Sequence, residues 1–270
     1  GSCFYIGCMD ETACNYDPQA MEDDNSCVYE YDCAGICGGS FIEDACGNCY
    51  DPTAIIEFED ITFDYTGSIE AYIVPDNVTS LYVEVYGAQG GTLWPNDGGY
   101  GAMVSGEITV TPGDELQILV GQQGYIGEKC ASGGGGGSFV VSSSDIPLII
   151  AGGGSGATCG SMGNPGVITE EGGDGDGCDG TGGENGNGGD DSANCGSGTG
   201  GGGGFYTDGE DDSSYGSQYG YSFLNGGAGG YSSTSDAYGG FGGGAGTHSN
   251  NTGGGPGGGY SGGGAPYSGD

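Results

Sequence analysis

Gly133-Gly134-Gly135-Gly136-Gly137-Ser138-Phe139-Val140-Val141 sets two kinds of chain side by side. Its apolar end reads as a buried β-strand. Its glycine end belongs to a pattern that dominates the rest of the molecule. The chain carries 70 glycines, most of them beyond Ala151, in runs such as Gly200–Gly204 and Gly253–Gly259, the latter broken by Pro256. Glycine loses more backbone entropy on ordering than any other residue, so such runs stay disordered unless something regular holds them. Residues 152–270 therefore admit two readings. One is a flexible linker. The other is a bundle of polyglycine II helices, left-handed threefold strands whose N–H and C=O groups bond between neighbours.

Outward from Phe139 towards the N-terminus, the chain alternates apolar and polar residues. Ile69, Ala71 and Ile73 alternate with Glu70 and Tyr72, and Leu81, Val83 and Val85 with Tyr82, Glu84 and Tyr86. Ile108 and Val110, then Leu116, Ile118 and Val120, then Phe139–Val141 and Leu148–Ile150 complete the set of strand candidates. Pro75-Asp76-Asn77 marks a turn, and Thr111-Pro112-Gly113-Asp114 fits type II. This spacing predicts an antiparallel β-sandwich or jelly roll over residues 54–151. No stretch carries a helical apolar stripe, so the expected fold class is all-β with almost no helix.

Residues 1–53 form a third unit, acidic and cysteine-dense, with too little aliphatic content for a core, so cross-links or metal must hold it. Of 12 cysteines, Cys3, Cys8, Cys14, Cys27, Cys33, Cys37, Cys46 and Cys49 lie here; Cys130, Cys159, Cys178 and Cys195 lie further on. An even count in an acidic chain points to disulfides and an extracellular or cell-surface location, with connectivity left open. The later four are expected to make two bridges that staple glycine segments to the sandwich. No apolar run approaches the length of a membrane helix. The opening Gly1-Ser2-Cys3 reads as a processed product or a piece of a longer chain.

Charge is one-sided: 38 Asp plus Glu against one base, Lys129, for a formal −37. Such a surface repels nucleic acid and anionic membranes. The acids serve either solvation in a harsh medium or binding of divalent cations.

Leu81-Tyr82-Val83-Glu84-Val85-Tyr86-Gly87-Ala88-Gln89-Gly90-Gly91, Val120-Gly121-Gln122-Gln123-Gly124, Ile146-Pro147-Leu148-Ile149-Ile150-Ala151-Gly152 and Gly239-Gly240-Phe241-Gly242 occur in one order over roughly residues 60–265. This series resembles the glycine-rich domain of the anaplastic lymphoma kinase and leukocyte tyrosine kinase receptors. The resemblance implies a tumour-necrosis-factor-like β-sandwich from which glycine segments emerge and pack as a hexagonal polyglycine II array. Those receptors bind a basic cytokine; no ligand-contacting residue transfers to this chain. The segment Gly7-Cys8 to Cys27 resembles a short repeat of secreted proteins of marine Bacteroidetes, and Asp32-Cys33 to Cys49 its usual companion. The companion is loosely similar to thrombospondin type 3 repeats but lacks their regular aspartate ladder.

Asp10, Asn15, Asp17, Asp23, Asp24 and Asn25 offer oxygen ligands for Ca²⁺ within a loop pinned by cysteines, without the glycine and final glutamate of an EF-hand. The alternative is solvated acids. Cys33, Cys37, Cys46 and Cys49 have zinc-like spacing, but disulfides are the better reading in this setting. Asp174, Asp176 and Asp179 sit in a glycine context that fails the register of the calcium nonapeptide. Asn77 and Asn250 fit the N-glycosylation pattern, and Ser192 a Bacteroidetes O-glycosylation motif. His248 is the one histidine and arginine is absent, so no catalytic set emerges and no organic cofactor is expected. The tail tyrosines, Tyr206, Tyr215, Tyr219, Tyr221, Tyr231, Tyr238, Tyr260 and Tyr267, either cover a glycine bundle or form an adhesive surface.

The expected function is a secreted structural or adhesive protein, a non-catalytic scaffold displaying acidic and tyrosine-rich faces to itself, to extracellular proteins or to glycans. The alternatives are a receptor-type ligand-binding ectodomain and an ice-binding polyglycine bundle similar to the springtail antifreeze type.

Overall fold

Period-two alternation becomes strand wherever one face finds an apolar partner, and the described residues of the computed structural model contain ten strands and no α-helix. Residues 5–43, 47, 49–51, 60–127, 130–175, 180–191, 198–211, 219–232, 236–248 and 253–264 are described. They divide into two compact units, Gly1–Ile61 and Thr62–Asp270.

The first unit is held by cross-links. Strand β1 (Ile6–Gly7) pairs in parallel with β2 (Glu22–Asp23), and β3 (Ile42–Glu43) pairs antiparallel with β4 (Cys49–Tyr50). Cys8 and Ala13 are its buried apolar residues among those described. Disulfides Cys8–Cys27, Cys14–Cys37 and Cys33–Cys49 tie the loops together. Cys3 and Cys46 lie outside the described residues.

In the second unit, β5 (Glu70–Ile73), β8 (Glu115–Leu119), β9 (Ser138–Ser142) and β10 (Pro147–Ala151) form a four-stranded sheet in the order β10-β9-β8-β5. Strands β6 (Ser80–Tyr86) and β7 (Met103–Thr109) form an antiparallel ribbon. The turns behave as their residues dictate. Gly113 has φ +87°, and Asp114 N–H donates to Thr111 O at 2.9 Å, as a type II turn requires.

Both faces of the four-stranded sheet are covered. Leu116, Ile118, Val140 and Ile149 pack with Val85, Val104 and Ile108 of the ribbon, the sandwich core. The opposite side chains, Leu119, Phe139, Val141 and Ile150, meet Phe205, Phe223, Phe241 and Tyr260, which come from the glycine-rich chain. Phe139 lies 5.3 Å from Phe223, which stacks on Phe205 at 5.2 Å. Burying a side chain of this size contributes about 1.5–3 kcal/mol. These aromatics weld the glycine-rich region to the sheet.

The glycine segments themselves are ordered ranks. Gly152 and Ser155 donate to Val167 and Asn164 of one neighbour, Gly153 and Gly156 to Gly258 and Gly255 of a second, and Gly154 and Ala157 to Ala88 and Gly91 of a third. Residues three apart thus address the same partner, the signature of a threefold extended helix. Around Ser132–Gly137 the pattern closes into a hexagonal shell. Gly133 and Gly136 donate to Tyr125 and Gln122, Gly134 and Gly137 to Ala245 and Gly242, and Gly135 to Gly154. Amides of Ala88 and Gly91, Gly240, and Gly255 and Gly258 donate back. Most of these bonds are 2.8–3.1 Å long. Side chains cannot enter such a lattice: a Cβ on Gly136 would lie 1.7 Å from Phe241 O.

The array is not confined to the chain beyond Ala151. It recruits 87–91, 98–102, 121–127 and 131–137, the loops between the sandwich strands. The 3-10 turn Phe223–Asn225 is capped by Ser222 and closed by Gly226 in the left-handed region. Disulfide Cys130–Cys159 joins the ends of two glycine hairpins beside the Ala131–Thr158 bridge. Cys178 and Cys195 lie outside the described residues.

Candidate functional site

Of the six residues expected to offer oxygen to calcium, five use their side chains in hydrogen bonds within the unit and Asn25 shapes a turn. Asp10 Oδ1 accepts from Thr12 N and Oγ1 (2.9 and 2.7 Å), and its other oxygen accepts from Tyr29 OH at 2.9 Å. Asn15 Nδ2 donates to Ser26 O and its Oδ1 accepts from Val28 N. Asp17 accepts from Gln19 N, Asp23 from Asn25 N, and Asp24 from Ser26 N. Asn25 turns the chain at φ 60°. Among the described residues no group of three or more His, Cys, Asp or Glu is placed to hold a metal ion.

These turns perturb the titration of their members. Hydrogen bonds from Thr12 hold Asp10 below the usual carboxylate range, and bonds from Ser26 do the same for Asp24. The bond to Asp10 raises the Tyr29 phenol. Asp10, Asp17, Asp23 and Asp24 thus take part in the local architecture of the unit.

Asn77 is exposed in the β5–β6 turn at φ 69°. Asn250 and Ser192 lie outside the described residues. Asp174 Oδ1 accepts from Gly182 N, whereas Asp176 and Asp179 lie outside. His248 N–H donates to Gly198 O at the end of a glycine segment.

The tyrosines fall into two groups by their surroundings. Tyr206 and Tyr260 gather around Phe205, Tyr206 edge-on at 4.8 Å, and cover the array where it meets the sheet. Desolvation raises the Tyr260 phenol. Tyr125, Tyr231 and Tyr238 form an outward cluster, with centroids 5.9 Å apart for Tyr125–Tyr238 and 5.6 Å for Tyr231–Tyr238. Tyr219 packs on Tyr221 at 5.0 Å; the hydrogen bond between their hydroxyls, burial and nearby Asp208 and Asp211 push its phenol up to about 12. Tyr215 and Tyr267 lie outside the described residues.

Sequence reading passed over the tip of residues 93–96. Leu93 and Asn96 exchange both backbone bonds at 2.8 Å, and the cis Trp94–Pro95 peptide forms the corner. Asn96 Nδ2 donates to Thr158 O and Cys159 O, anchoring the tip beside the Cys130–Cys159 bridge. Trp94 is 94 % exposed. Trp94 is thus a large aromatic held in water on a tied-down loop, outside both apolar cores. Met162 and Ile126 are also exposed.

A groove of about 530 Å³ runs beside β10, between Asn164–Asp174 and Pro256–Gly264. No helix among the described residues is long and apolar enough to cross a membrane. The described disulfides fit an oxidising, extracellular setting. The chain matches no protein-family model and no curated protein.

Proposed function

We propose that this protein is a secreted, non-catalytic structural or adhesive component of a cell surface or extracellular filament. Its task is presentation: a stiff scaffold holds acidic and tyrosine-rich faces in place for extracellular partners. The observation that carries this reading is the three-residue bonding rule of the glycine segments, joined to loops that display Trp94, Tyr125 and Tyr231 in water. Pre-ordered loops lose little entropy on contact, so small aromatic surfaces adhere usefully. The formal −37 adds long-range attraction to cationic surfaces and keeps copies apart at low salt.

Detachment force of beads coated with native or reduced protein, measured on immobilised basic proteins and glycans, tests this reading. Native beads should adhere and reduced beads should release at much lower force. Native beads that release from every surface as easily as albumin-coated beads would contradict it.

A further inference from the structure

Strand β10 is one of the two edge strands of its sheet. Ser142 N–H donates to Ile146 O, so the even-numbered residues of β9 address β10. Through the pairs Val140–Ile149 and Ser138–Ala151, the amides of Ile149 and Ala151 turn inward and those of Ile150 face the open edge. The same parity continues at Gly152, whose N–H donates outward to Val167 O at 3.3 Å. One turn of chain fills the edge there: Ser155 bonds to Asn164 and Gly152 to Val167. At Ile168, which is 70 % exposed, that neighbouring chain leaves the strand. Among the described residues no backbone bond reaches Ile150 from the vacated side. The groove occupies this place.

We propose that the groove takes an extended, basic peptide segment of another protein by strand addition to β10, continuing the rank that residues 164–167 begin. Ile150 supplies the backbone donor and acceptor that such addition needs. Leu148, Pro165 and Ile168 line the apolar wall for alternate side chains. Glu170 and Asp174 stand on the same rim, in a chain whose one base is Lys129. Basic side chains of the incoming strand neutralise them. A second copy of this chain does not suit the site, since it brings a further −37. A groove of this volume falls within the roughly 300–1,000 Å³ of ligand clefts. The inference rests on the display reading and names the partner class for one face of the scaffold.

The probe is a fluorescent peptide, acetyl-Lys-Val-Lys-Val-Thr-Val-Lys-amide, titrated into the whole chain by anisotropy. Its counterparts replace Lys by Glu or methylate alternate amides. The plugging variant is Gly173→Leu; a Cβ there meets only Val167 Cγ1 at 3.9 Å, so the fold has room for it. Glu170→Gln tests charge. The basic peptide should bind, the methylated and acidic peptides about tenfold or more weakly, the loss expected when a strand bond is left unmade. Gly173→Leu should abolish binding, and Glu170→Gln should weaken it severalfold at low salt. Equal binding of the methylated peptide, or of Gly173→Leu with an unchanged melting temperature, overturns the proposal. So does a dimer that Gly173→Leu dissociates, which would assign the groove to a second copy. Failure of the basic peptide to bind while native beads still adhere would defeat the groove and leave the scaffold reading intact.

Discussion

Replacing Gly136 by alanine strikes the centre of the glycine array. The new Cβ would sit 1.7 Å from Phe241 O, 2.5 Å from Phe241 C and 2.9 Å from Gly242 Cα, all backbone. Ordinary carbon contacts need about 3.5–4.0 Å, so the two segments must part by about 2 Å. That displacement breaks Gln122 N–H to Phe241 O (2.8 Å) and Gly137 N–H to Gly242 O (2.9 Å), inside the lattice where water cannot replace them. Two buried peptide groups left unmet cost about 1–3 kcal/mol each, giving a destabilisation of about 4 kcal/mol. With a urea slope of about 2–3 kcal/mol/M, the midpoint should fall by roughly 1.5–2 M. Tyrosine fluorescence reports the transition through the Phe205–Tyr206–Tyr260 cluster. Gly160→Ala is the matched control: it is exposed, no heavy atom lies within 4 Å of its Cβ, and the change should stay within about 0.5 kcal/mol. A Gly136→Ala loss below about 1 kcal/mol would refute the packing described here.

Further predictions concern the cross-links and the titrating groups. Replacing both Cys130 and Cys159 by alanine opens a loop of sequence separation 29 and should cost about 3–4 kcal/mol in the chain-entropy model, read as a urea-midpoint shift. Asp10 and Asp24 have lowered folded pKa values, so their stabilisation is present above the ordinary carboxylate value of about 3.9. It disappears as pH falls through their lower folded values; acid titration of the first unit by NMR should show both carboxylates protonating late. Asp10→Asn should bring the Tyr29 phenol back towards its ordinary range, and an unchanged Tyr29 titration would remove the assigned cause. Tyr219 is raised to about 12, so its contribution is present below the unfolded value of about 10. It is lost as pH rises through about 12; absorbance at the phenolate band should retain one late step that Tyr221→Phe shifts down.

Much of the sandwich was legible because a half-buried strand writes its burial into alternate residues. Ile69–Ile73, Leu81–Val85, Leu116–Val120, Phe139–Val141 and Leu148–Ile150 each fall on a strand of the structure. The first half of β7 was not legible, since Gly106 stands at the inward position that would carry the alternation from Val104 to Ile108. Glycine carries no side chain and so no periodicity. Nothing in Gly98-Gly99-Tyr100-Gly101 distinguishes a rank of the array from a loop, and its partners are fixed only by backbone bonds to distant chain. Disulfide pairing was equally silent, because Cys14–Cys37 and Cys33–Cys49 depend on loop paths that no local pattern records. The β10 groove depends on where residue 168 leaves its neighbour, a property of three segments together.

Backbone amide exchange tests the ordered array most directly. Peptides covering Gly133–Gly137, Gly152–Gly156 and Gly201–Gly204 should retain deuterium-exchange protection comparable to that of β8 and β9, in the intact protein at neutral pH. Exchange of those glycine amides at the rate of an unstructured chain, while β8 and β9 stay protected, would contradict the account.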